Sequence, residues 1–506
     1  MFYMSTRDDK KRVSGAEAIA SGLSEDGGLF VPEAFPKITP ETIEKLISEP
    51  YSRRAAYIMG LFLDEFSASE LNAYADGAYS TSKINGFNHS DIAPLKRINK
   101  STHFLELWHG PTCAFKDMAL QVMPKLLTAS LKKIGEKRDV CILVATSGDT
   151  GKAALEGFSE VPGTKIMVFY PRDGVSEVQK LQMVSQTGAN VNVLAVDGNF
   201  DDAQTGVKAI FSDKSMIEDL DRSGYILSSA NSINWGRLVP QIAYYISAYC
   251  DLVSSNEVVI GDKINFCVPT GNFGNILAAY YSEKMGLPVN KLICASNRND
   301  VLTQFINTGI YDKNRPFYTT VSPSMDILVS SNLERLLFEL SGKNGYEVTS
   351  YMNALSKEGR YTVPDTICDE LNRIFHSGYC SEEDTMKTIK QTYNNSDYLI
   401  DTHTAVAYKV LDDYRESTGD DKSTVVVSTA SPFKFCEAVL EALGYQDSYE
   451  VESSMSGVML IDMLSKATGC AIPKPLIDLK LALPRFTGST EINEMKTTVI
   501  DFIRGH

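Results

Sequence analysis

Residues 139–171 read DVCILVATSGDTGKAALEGFSEVPGTKIMVFYP, and this stretch indicates the fold class. Two uninterrupted apolar runs rich in β-branched residues, DVCILVA and KIMVFYP, flank a segment whose apolar residues recur near helical period. Apolar strands separated by helices are typical of a parallel sheet that helices cover on both faces. The alternation continues in NVNVLAVDG, GYILSSANS, INFCVPTGN, KLICASN and STVVVSTAS. We therefore predict an α/β fold built on parallel sheets.

Composition and charge exclude several classes of protein. The 506 residues are 43% hydrophobic and 22% charged, which is typical of a soluble globular protein with two or three domains. The formal net charge of −15 argues against a nucleic-acid or acidic-membrane partner, but it leaves a small anionic ligand open. The N-terminal residues are charged and no run of about 18 residues is apolar. We predict neither a signal peptide nor a membrane span, and a cytoplasmic protein.

Cysteine and histidine usage gives no sign of a metal centre. Nine cysteines are scattered without a CxxC pair, and the six histidines include no HExxH motif. An odd number of dispersed cysteines favours reduced thiols over a disulfide framework or a zinc site. We expect no metal ligand set.

Two segments depart from the strand and helix alternation. Residues 1–95 combine turns rich in glycine and proline with amphipathic helical runs, which predicts an N-terminal cap domain. Residues from about 345 to 397 are polar, helical in pattern and poor in strands, which predicts a helical insertion before the last strands.

Ligands of parallel sheets bind beyond the carboxyl ends of the strands, so the polar sequences at those ends are candidate sites. After INFCVPT the chain enters Gly271, Asn272, Phe273, Gly274 and Asn275 and then a helix. Glycines let the backbone approach a ligand, and free N–H groups at a helix start attract phosphate. Neither GxGxxG nor a complete P-loop is present. The alternative is an ordinary tight turn between strand and helix.

Two further strand ends carry short polar side chains. Ser147, Asp149 and Thr150 open a helix and are suited to a carboxylate, although Ser147 or Asp149 could instead only cap that helix. The segment NSINWGR supplies a second set suited to an anion: Asn231, Ser232, Asn234 and Arg237. As alternatives, Asn231 and Ser232 could cap a helix and Arg237 could be a surface charge.

Lys116 and Thr429 complete the candidate residues. Lys116 follows Cys113, Ala114 and Phe115, and apolar surroundings disfavour an ammonium and so favour a reactive amine. The alternative is a lysine that extends to water. Thr429 leaves a buried strand, where its hydroxyl needs a partner, either a backbone carbonyl or a ligand nitrogen. A reactive lysine, phosphate-binding turns and a terminal hydroxyl together suggest pyridoxal phosphate held as a Schiff base.

These motifs resemble the threonine synthase family, whose members are fold type II pyridoxal-phosphate enzymes. The similar segments are HGPTCAFKD, TSGDTG, NSINWGR, PTGNFGN, SPSMDILVSSNLERLLFE and STASPFKF, together with the N-terminal STRDDKK and GLSEDGGLFVPE. The resemblance is to the long form of the enzyme and extends from about residue 3 to at least residue 435. Cys113 stands where the family has larger apolar residues, and residues after about 436 carry little that matches.

The resemblance implies two parallel-sheet lobes similar to those of the tryptophan synthase β subunit. Residues 96–117 and 241–506 would form the larger lobe, which carries pyridoxal phosphate, and residues 118–240 a smaller, mobile lobe. Lys116 would hold the cofactor and act as the catalytic base. Residues 271–275 would bind the cofactor phosphate, and Thr429 would face the ring nitrogen.

The resemblance also implies a substrate and a reaction. O-phospho-L-homoserine and water would give L-threonine and inorganic phosphate by γ-elimination and β-addition of water, a lyase reaction that ends threonine biosynthesis. Ser147, Asp149 and Thr150 would lie around the substrate carboxylate and the cofactor ring oxygen, with the contact of Asp149 left open. Asn231, Ser232, Asn234 and Arg237 would bind the substrate phosphate. The alternatives are another pyridoxal-phosphate lyase of this fold or a non-catalytic binding protein. The protein would be a monomer or a homodimer.

Overall fold

The computed structural model describes residues 1–82, 86–172, 175–198, 200–445 and 456–505. The N-terminal part contains a small antiparallel sheet in the order β2-β1-β3 and four helices. Their bounds are β1 (Phe2–Ser5), β2 (Val13–Ser14), α1 (Gly15–Ser21), β3 (Phe30–Pro32), α2 (Pro40–Ile47), α3 (Tyr51–Phe62) and α4 (Ala68–Ala78). Helices α1 and α4 begin at capping boxes formed by Ser14 with Glu17 and by Ser67 with Glu70.

The following residues lead into a smaller parallel sheet. The connecting elements are β4 (Leu95–Arg97), β5 (Thr102–Glu106), α5 (Asp117–Leu120) and α6 (Met123–Lys133). The elements of the smaller sheet are β6 (Asp139–Ala145), α7 (Asp149–Phe158), β7 (Thr164–Pro171), α8 (Glu177–Val184), β8 (Val191–Val196), α9 (Phe200–Ser212), α10 (Lys214–Arg222) and β9 (Tyr225–Ser228). These strands pair in parallel in the order β8-β7-β6-β9.

A larger, six-stranded sheet is formed mainly by the second half of the chain. The elements of this part of the chain are α11 (Trp235–Ser254), β10 (Ile264–Pro269), α12 (Gly274–Met285), β11 (Val289–Ser296), α13 (Val301–Thr308), β12 (Ile310–Asp312), α14 (Leu333–Leu340), α15 (Gly345–Lys357), β13 (Arg360–Thr362), α16 (Asp365–Ile374), β14 (Phe375–Tyr379), α17 (Glu382–Ser396), α18 (Thr402–Thr418), β15 (Thr424–Ser428), α19 (Cys436–Leu443), α20 (Gly457–Thr468) and α21 (Lys474–Asp478). Strands β12 and β13 form a separate antiparallel pair, and the other strands of this part join the larger sheet. The strand order is β14-β11-β10-β15-β5-β4, and only β4 runs antiparallel.

The C-terminal elements are β16 (Ser489–Thr490) and α22 (Met495–Arg504). Strand β16 pairs in parallel with β8, and α22 contributes Met495, Val499 and Ile503 to an apolar cluster with residues of the smaller sheet. Residues 489–504 therefore belong to the smaller lobe. The prediction that residues 241–506 all lie in the larger lobe is wrong for this segment.

The predicted helical insertion is also corrected. Residues 345–397 do contain three helices, α15, α16 and α17, but they also contain β14, which pairs in parallel with β11 at the edge of the larger sheet. Strand β14 alternates buried and partly exposed residues, as expected for an edge strand. The segment is therefore not purely helical, because β14 joins it to the larger sheet.

Trp235, at the start of α11, joins the N-terminal part to the rest of the core. It is fully buried, and its ring lies 5.2 Å from that of Tyr3 and 5.6 Å from that of Phe62. Burial of three aromatic rings is favourable both for the apolar area and for their tilted geometry. The nine cysteines are all free. None of the helices in the described ranges combines the length and the apolar character needed to cross a membrane.

Candidate active site

Lys116 is placed by a contact between two loops of the larger sheet. The Phe115 N–H donates to the Thr429 carbonyl at 2.7 Å, and the Ser431 N–H donates to the Cys113 carbonyl at 3.1 Å. The loop after β5 and the loop after β15 are thus held side by side. Because β5 and β15 are adjacent parallel strands, Lys116 and Thr429 reach the same edge of the sheet.

The Lys116 side chain is buried, not extended to water. Only 7% of the residue is exposed, and Nζ lies 3.3 Å from Asp149 Oδ2 and 3.3 Å from Ser324 Oγ. Burial lowers the Lys116 pKa, Asp149 acts against that shift, and the charges of Arg237 and Lys434 add to it. The neutral amine is therefore more accessible than in a lysine exposed to solvent.

The start of α7 is capped by a residue that sequence patterns did not indicate. Thr146 Oγ1 accepts hydrogen bonds from the Gly148 N–H at 3.0 Å and from the Gly151 N–H at 2.9 Å. The alternative that Ser147 or Asp149 serves only as the cap is therefore wrong. Their side chains are left available for other contacts.

Asp149 lies at the centre of a buried group of charges. Its Oδ1 accepts from Gln179 Nε2 at 2.8 Å and lies 2.6 Å from Lys434 Nζ, while Oδ2 faces Lys116. Burial alone would raise the pKa of this carboxyl, but the two lysines outweigh burial and lower the pKa. Asp149 is therefore a carboxylate in the folded protein.

The glycine-rich turn after β10 packs closely against the backbone at Ser324. A Cβ built on Gly271 would lie 2.5 Å from the Ser324 carbonyl oxygen, so a larger residue does not fit without a backbone shift. Phe273 adopts the left-handed conformation with φ of 62°, and α12 begins at the next residue, Gly274. The turn therefore directs the N–H groups of the first helical turn into the cleft, as an anion site requires.

Asn275 contributes a buried donor to this turn. Its Oδ1 accepts from the hydroxyls of Tyr244 and Tyr245, the latter at 2.6 Å. Its Nδ2 is buried and has no hydrogen-bond partner in the part of the chain that the structure describes. A buried amide N–H without a partner is costly, and an acceptor such as a phosphate oxygen would remove that cost.

Arg237 is a buried cation, and most of its hydrogen-bond donors have no partner among the described residues. It is 5% exposed, and across the described ranges its guanidinium makes one hydrogen bond, from Nη1 to the Ala230 carbonyl at 2.9 Å. Burial lowers its pKa to about 10, so it remains charged at neutral pH. The alternative of a surface charge is wrong. Asn231 and Ser232 line the cleft beside it.

Asn234 has a different position from its neighbours. Its Oδ1 accepts from the Gly236 N–H at 2.8 Å as the N-cap of α11, and its Nδ2 donates to the Ile19 carbonyl at 3.0 Å. It is fully buried and does not line the cleft. The prediction that it binds the substrate phosphate is therefore replaced by a structural role.

The other predicted residues line one cleft of about 250 Å³. They are Lys116, Ser147, Asp149, Thr150, Asn231, Ser232, Arg237, residues 271–275 and Thr429. The Thr429 hydroxyl accepts or donates no hydrogen bond among the described residues, although Thr429 is only 5% exposed. The cleft thus collects strand ends from both sheets.

Sequence patterns did not indicate Ser324, Asp326 and His403, which line the cleft, or Lys434, which lies behind it. Ser324 contacts Lys116, and its N–H donates to His403 Nε2 at 3.2 Å, with His403 Nδ1 2.9 Å from Asp401 Oδ1. Asp326 lines the cleft, and Lys434 binds Asp149 from behind. Ser324, Asp326 and Lys434 fall within motifs noted in the sequence, but no spacing rule connects them with Lys116. No sequence pattern indicated His403.

Comparisons with known proteins agree with this geometry. Three family models match, described as "Threonine synthase N terminus" at residues 2–79, "Pyridoxal-phosphate dependent enzyme" at residues 92–430 and "Threonine synthase, C-terminal" at residues 404–462. The threonine synthase of Pseudomonas aeruginosa is 41% identical over 87% of this chain and 90% of its own length. Human threonine synthase-like 1 is 40% identical over 89% of this chain, which spans 62% of that protein.

A solved structure gives the same result. Pyridoxal-phosphate-bound threonine synthase from Brucella melitensis superposes with a TM-score of 0.86 at 34% identity, covering all of both chains. The predicted fold class, parallel-sheet lobes of fold type II, is confirmed, and the C-terminal family model extends the match past residue 436, where sequence reasoning had stopped. This chain belongs to the threonine synthase family of pyridoxal-phosphate-dependent enzymes.

Proposed function

We propose that the protein is a threonine synthase, which converts O-phospho-L-homoserine and water to L-threonine and inorganic phosphate. The observation that carries this proposal is Arg237, a buried guanidinium with unfilled donors in the cleft that also holds Lys116. A lyase acting on an uncharged side chain has no need for a second anion site beside the glycine-rich turn. The planar fork of arginine matches a phosphate ester.

The residues present fit pyridoxal phosphate. The start of α12 and the unpartnered Asn275 Nδ2 suit its phosphate, and the small Gly271 admits it next to the backbone. The Thr429 hydroxyl, without a protein partner in the described ranges, suits the ring nitrogen. Lys116 would hold the cofactor covalently through its buried amine.

When bound, this cofactor supplies a conjugated ring that delocalises the negative charge left by proton loss from the substrate Cα. Lys116 Nζ takes that proton as a general base. Its lowered pKa increases the fraction of neutral amine, and a fitted base of this kind contributes about 10²–10⁴-fold.

The remaining polar residues bind and orient the substrate. Arg237 holds the phosphate ester with Asn231 and Ser232, and its charge stabilises the phosphate as it departs. Ser147 and Thr150, at the start of α7, hold the substrate carboxylate. These contacts fix the Cα–H bond toward Lys116.

Movement of the smaller lobe toward the larger one closes the cleft around the substrate. The start of α7 and the NSIN segment face the larger sheet across the cleft, so a shift of the smaller sheet toward the larger one would exclude bulk water from the reacting carbons. Because β16 and α22 pair with the smaller sheet, the C-terminal residues move with it.

The test is product analysis on the full-length protein supplied with pyridoxal phosphate and O-phospho-L-homoserine. We expect threonine and phosphate in equal amounts and a yellow protein. Lys116→Ala should remove both the colour and the turnover, with Lys125→Ala as the matched control because Lys125 lies on α6 outside the cleft.

Other products would redirect the assignment. Phosphate with 2-oxobutyrate and no threonine would identify another lyase of this fold. Absence of any turnover in a protein that does bind the cofactor would indicate a binding protein. Unchanged colour and activity in Lys116→Ala would overturn the role of the lysine.

A further inference from the structure

A second lysine is buried against the site without entering it as Lys116 does. Lys434 ends a short 3₁₀ turn, Pro432–Lys434, that follows Thr429, and its side chain is completely buried. Its Nζ lies 2.6 Å from Asp149 Oδ1 and donates to the Thr112 carbonyl at 2.9 Å. Lysines are almost never fully buried unless they are paired, so this position requires a specific partner.

Asp149 is shared between the two lysines in an unequal way. Its Oδ1 faces Lys434 at 2.6 Å, and its Oδ2 faces Lys116 at 3.3 Å. Gln179 adds a neutral donor at Oδ1. The shorter contact is with the lysine that is wholly buried, whereas the lysine that lines the cleft makes the longer one.

We propose that Lys434 is a positioning residue that serves as the permanent counter-ion of Asp149, so that Lys116 can lose its proton while Asp149 stays charged. The inference rests on the proposed function, in which Lys116 is the reacting amine. Without Lys434, Lys116 would be the only cation in contact with Asp149 among the residues that the structure describes. A carboxylate paired solely with Lys116 would hold that lysine as an ammonium.

The charges around Lys116 come from several elements. Asp149 belongs to α7, Arg237 to α11 and Lys434 to the turn after β15. Asp117, next to Lys116 in the chain, faces away and accepts from Thr112. Three other titratable groups line the same cleft: His403, which contacts Asp401, Asp326, which contacts Thr320, and Lys208 on α9.

The proposal predicts a change in the pH dependence of Lys116 chemistry. Only a neutral amine attacks an aldehyde, so the rate at which Lys116 captures pyridoxal phosphate rises with pH through the pKa of that amine. Lys434→Met leaves Asp149 to stabilise the Lys116 ammonium, which moves the midpoint to higher pH. Replacing Asp149 as well removes the carboxylate and should bring the midpoint back.

The experiment uses full-length protein freed of cofactor, to which pyridoxal phosphate is added between about pH 6 and pH 10 while absorbance reports covalent capture. We expect Lys434→Met to react about tenfold more slowly than the wild type near neutral pH, equivalent to a shift of about one pH unit. The double variant Lys434→Met with Asp149→Asn should react within about twofold of the wild type. Lys434→Arg, which keeps the charge, should retain the wild-type midpoint.

The outcomes separate this proposal from the assigned function. Lys116→Ala should capture no cofactor, and capture there would refute the function itself. A wild-type midpoint in Lys434→Met, or a double variant displaced as far as the single one, would refute the counter-ion role. Circular dichroism checks that each variant is folded. If Lys434→Met is unfolded, the double variant and Lys434→Arg decide: a displaced midpoint in either would overturn the proposal.

Discussion

Two buried polar regions of this protein both combine cations with carboxylates but use them differently. The reactive cluster consists of Lys116, Asp149, Arg237 and Lys434. The second region, which we call the NLER seam, consists of Thr6, Arg7, Asn332, Glu334 and Arg335, and it fastens the N-terminal strands to the larger lobe. Both regions exclude solvent from most of their charges.

The two regions differ in how many donors are filled. Arg335 donates to the carbonyls of Phe30 at 2.9 Å and Ile233 at 2.6 Å, and also to Asn332 Oδ1. Arg237 donates to one carbonyl in the described ranges. Burial lowers the pKa of both guanidinium groups to about 10. The proposed ligand-binding role of Arg237 and the structural role of Arg335 therefore correspond to a difference in hydrogen bonding and not in burial.

The largest expected effect concerns Arg237, the proposed ligand of the substrate phosphate. Arg237→Met should lower kcat/KM for O-phospho-L-homoserine about 10³-fold, because the departing phosphate loses its charged donor. The free energy of unfolding should change little, since one carbonyl contact is lost. Steady-state kinetics and chemical denaturation measure the two quantities. A variant that loses stability but keeps kcat/KM would reverse the comparison.

The matched variant in the seam should show the opposite pattern. Arg335→Met leaves several buried acceptors unpaired, and we expect a loss of about 3 kcal/mol in the free energy of unfolding. Protein that remains folded should retain kcat/KM within about tenfold, because among the described residues Arg335 contacts the cleft residues Ser232 and Ile233 at their backbone carbonyls and not at their side chains. Equal kinetic losses in Arg335→Met and Arg237→Met would show that the two regions act as one.

Most of the fold could be predicted because long buried strands are visible in the sequence as apolar runs. Strands β6, β7, β10 and β15 consist mainly of apolar residues and are buried on both faces. Strand β14 reads FHSGY and β16 only Ser-Thr, and neither contains an apolar run. Both lie at sheet edges, where pairing is decided by tertiary contacts that sequence periodicity does not record.

The residues of the candidate site could be predicted where a local sequence pattern marks them. The turn at 271–275 combines a strand end, glycines and a helix start, and Asp149 and Arg237 lie in the first turns of the helices that come after β6 and β9. Asn234 belongs to such a pattern too, but its amide caps α11, which the same sequence signal also predicts. Lys434 was missed because its partner, Asp149, is distant in the chain, and only the packing of two lobes brings them together.

The third prediction concerns a carboxyl that belongs to neither region. Asp117 is fully buried and accepts from the Thr112 N–H and hydroxyl, both at 2.8 Å, and burial raises its pKa to about 7. The native state therefore binds this proton more tightly than the unfolded state. Its contribution to stability is complete below about pH 4 and is lost as pH rises to about 7, at about 1.4 kcal/mol per unit.

Denaturation at pH 5 and pH 7 checks this sign. The wild type should lose stability over that interval relative to Asp117→Asn, which cannot titrate there. An opposite slope, or identical curves, would mean that Asp117 is ionised when folded. It would then resemble Asp149, and the distinction between a carboxyl with lysine partners and one without them would be lost.

The smallest effect sharpens the comparison within the seam. Thr6 Oγ1 donates to Glu334 Oε1 at 2.6 Å and accepts from the Leu29 N–H at 2.8 Å, and Arg7 binds the same carboxylate. Thr6→Val keeps the volume but removes both hydrogen bonds, so the free energy of unfolding should fall by about 1–2 kcal/mol. Thr6→Ser, which keeps the hydroxyl, should lose less than half of that. Since Arg7 continues to neutralise Glu334, kcat/KM should stay at the wild-type value, and a kinetic loss in Thr6→Val would show that the seam controls the reactive cluster as well as the fold.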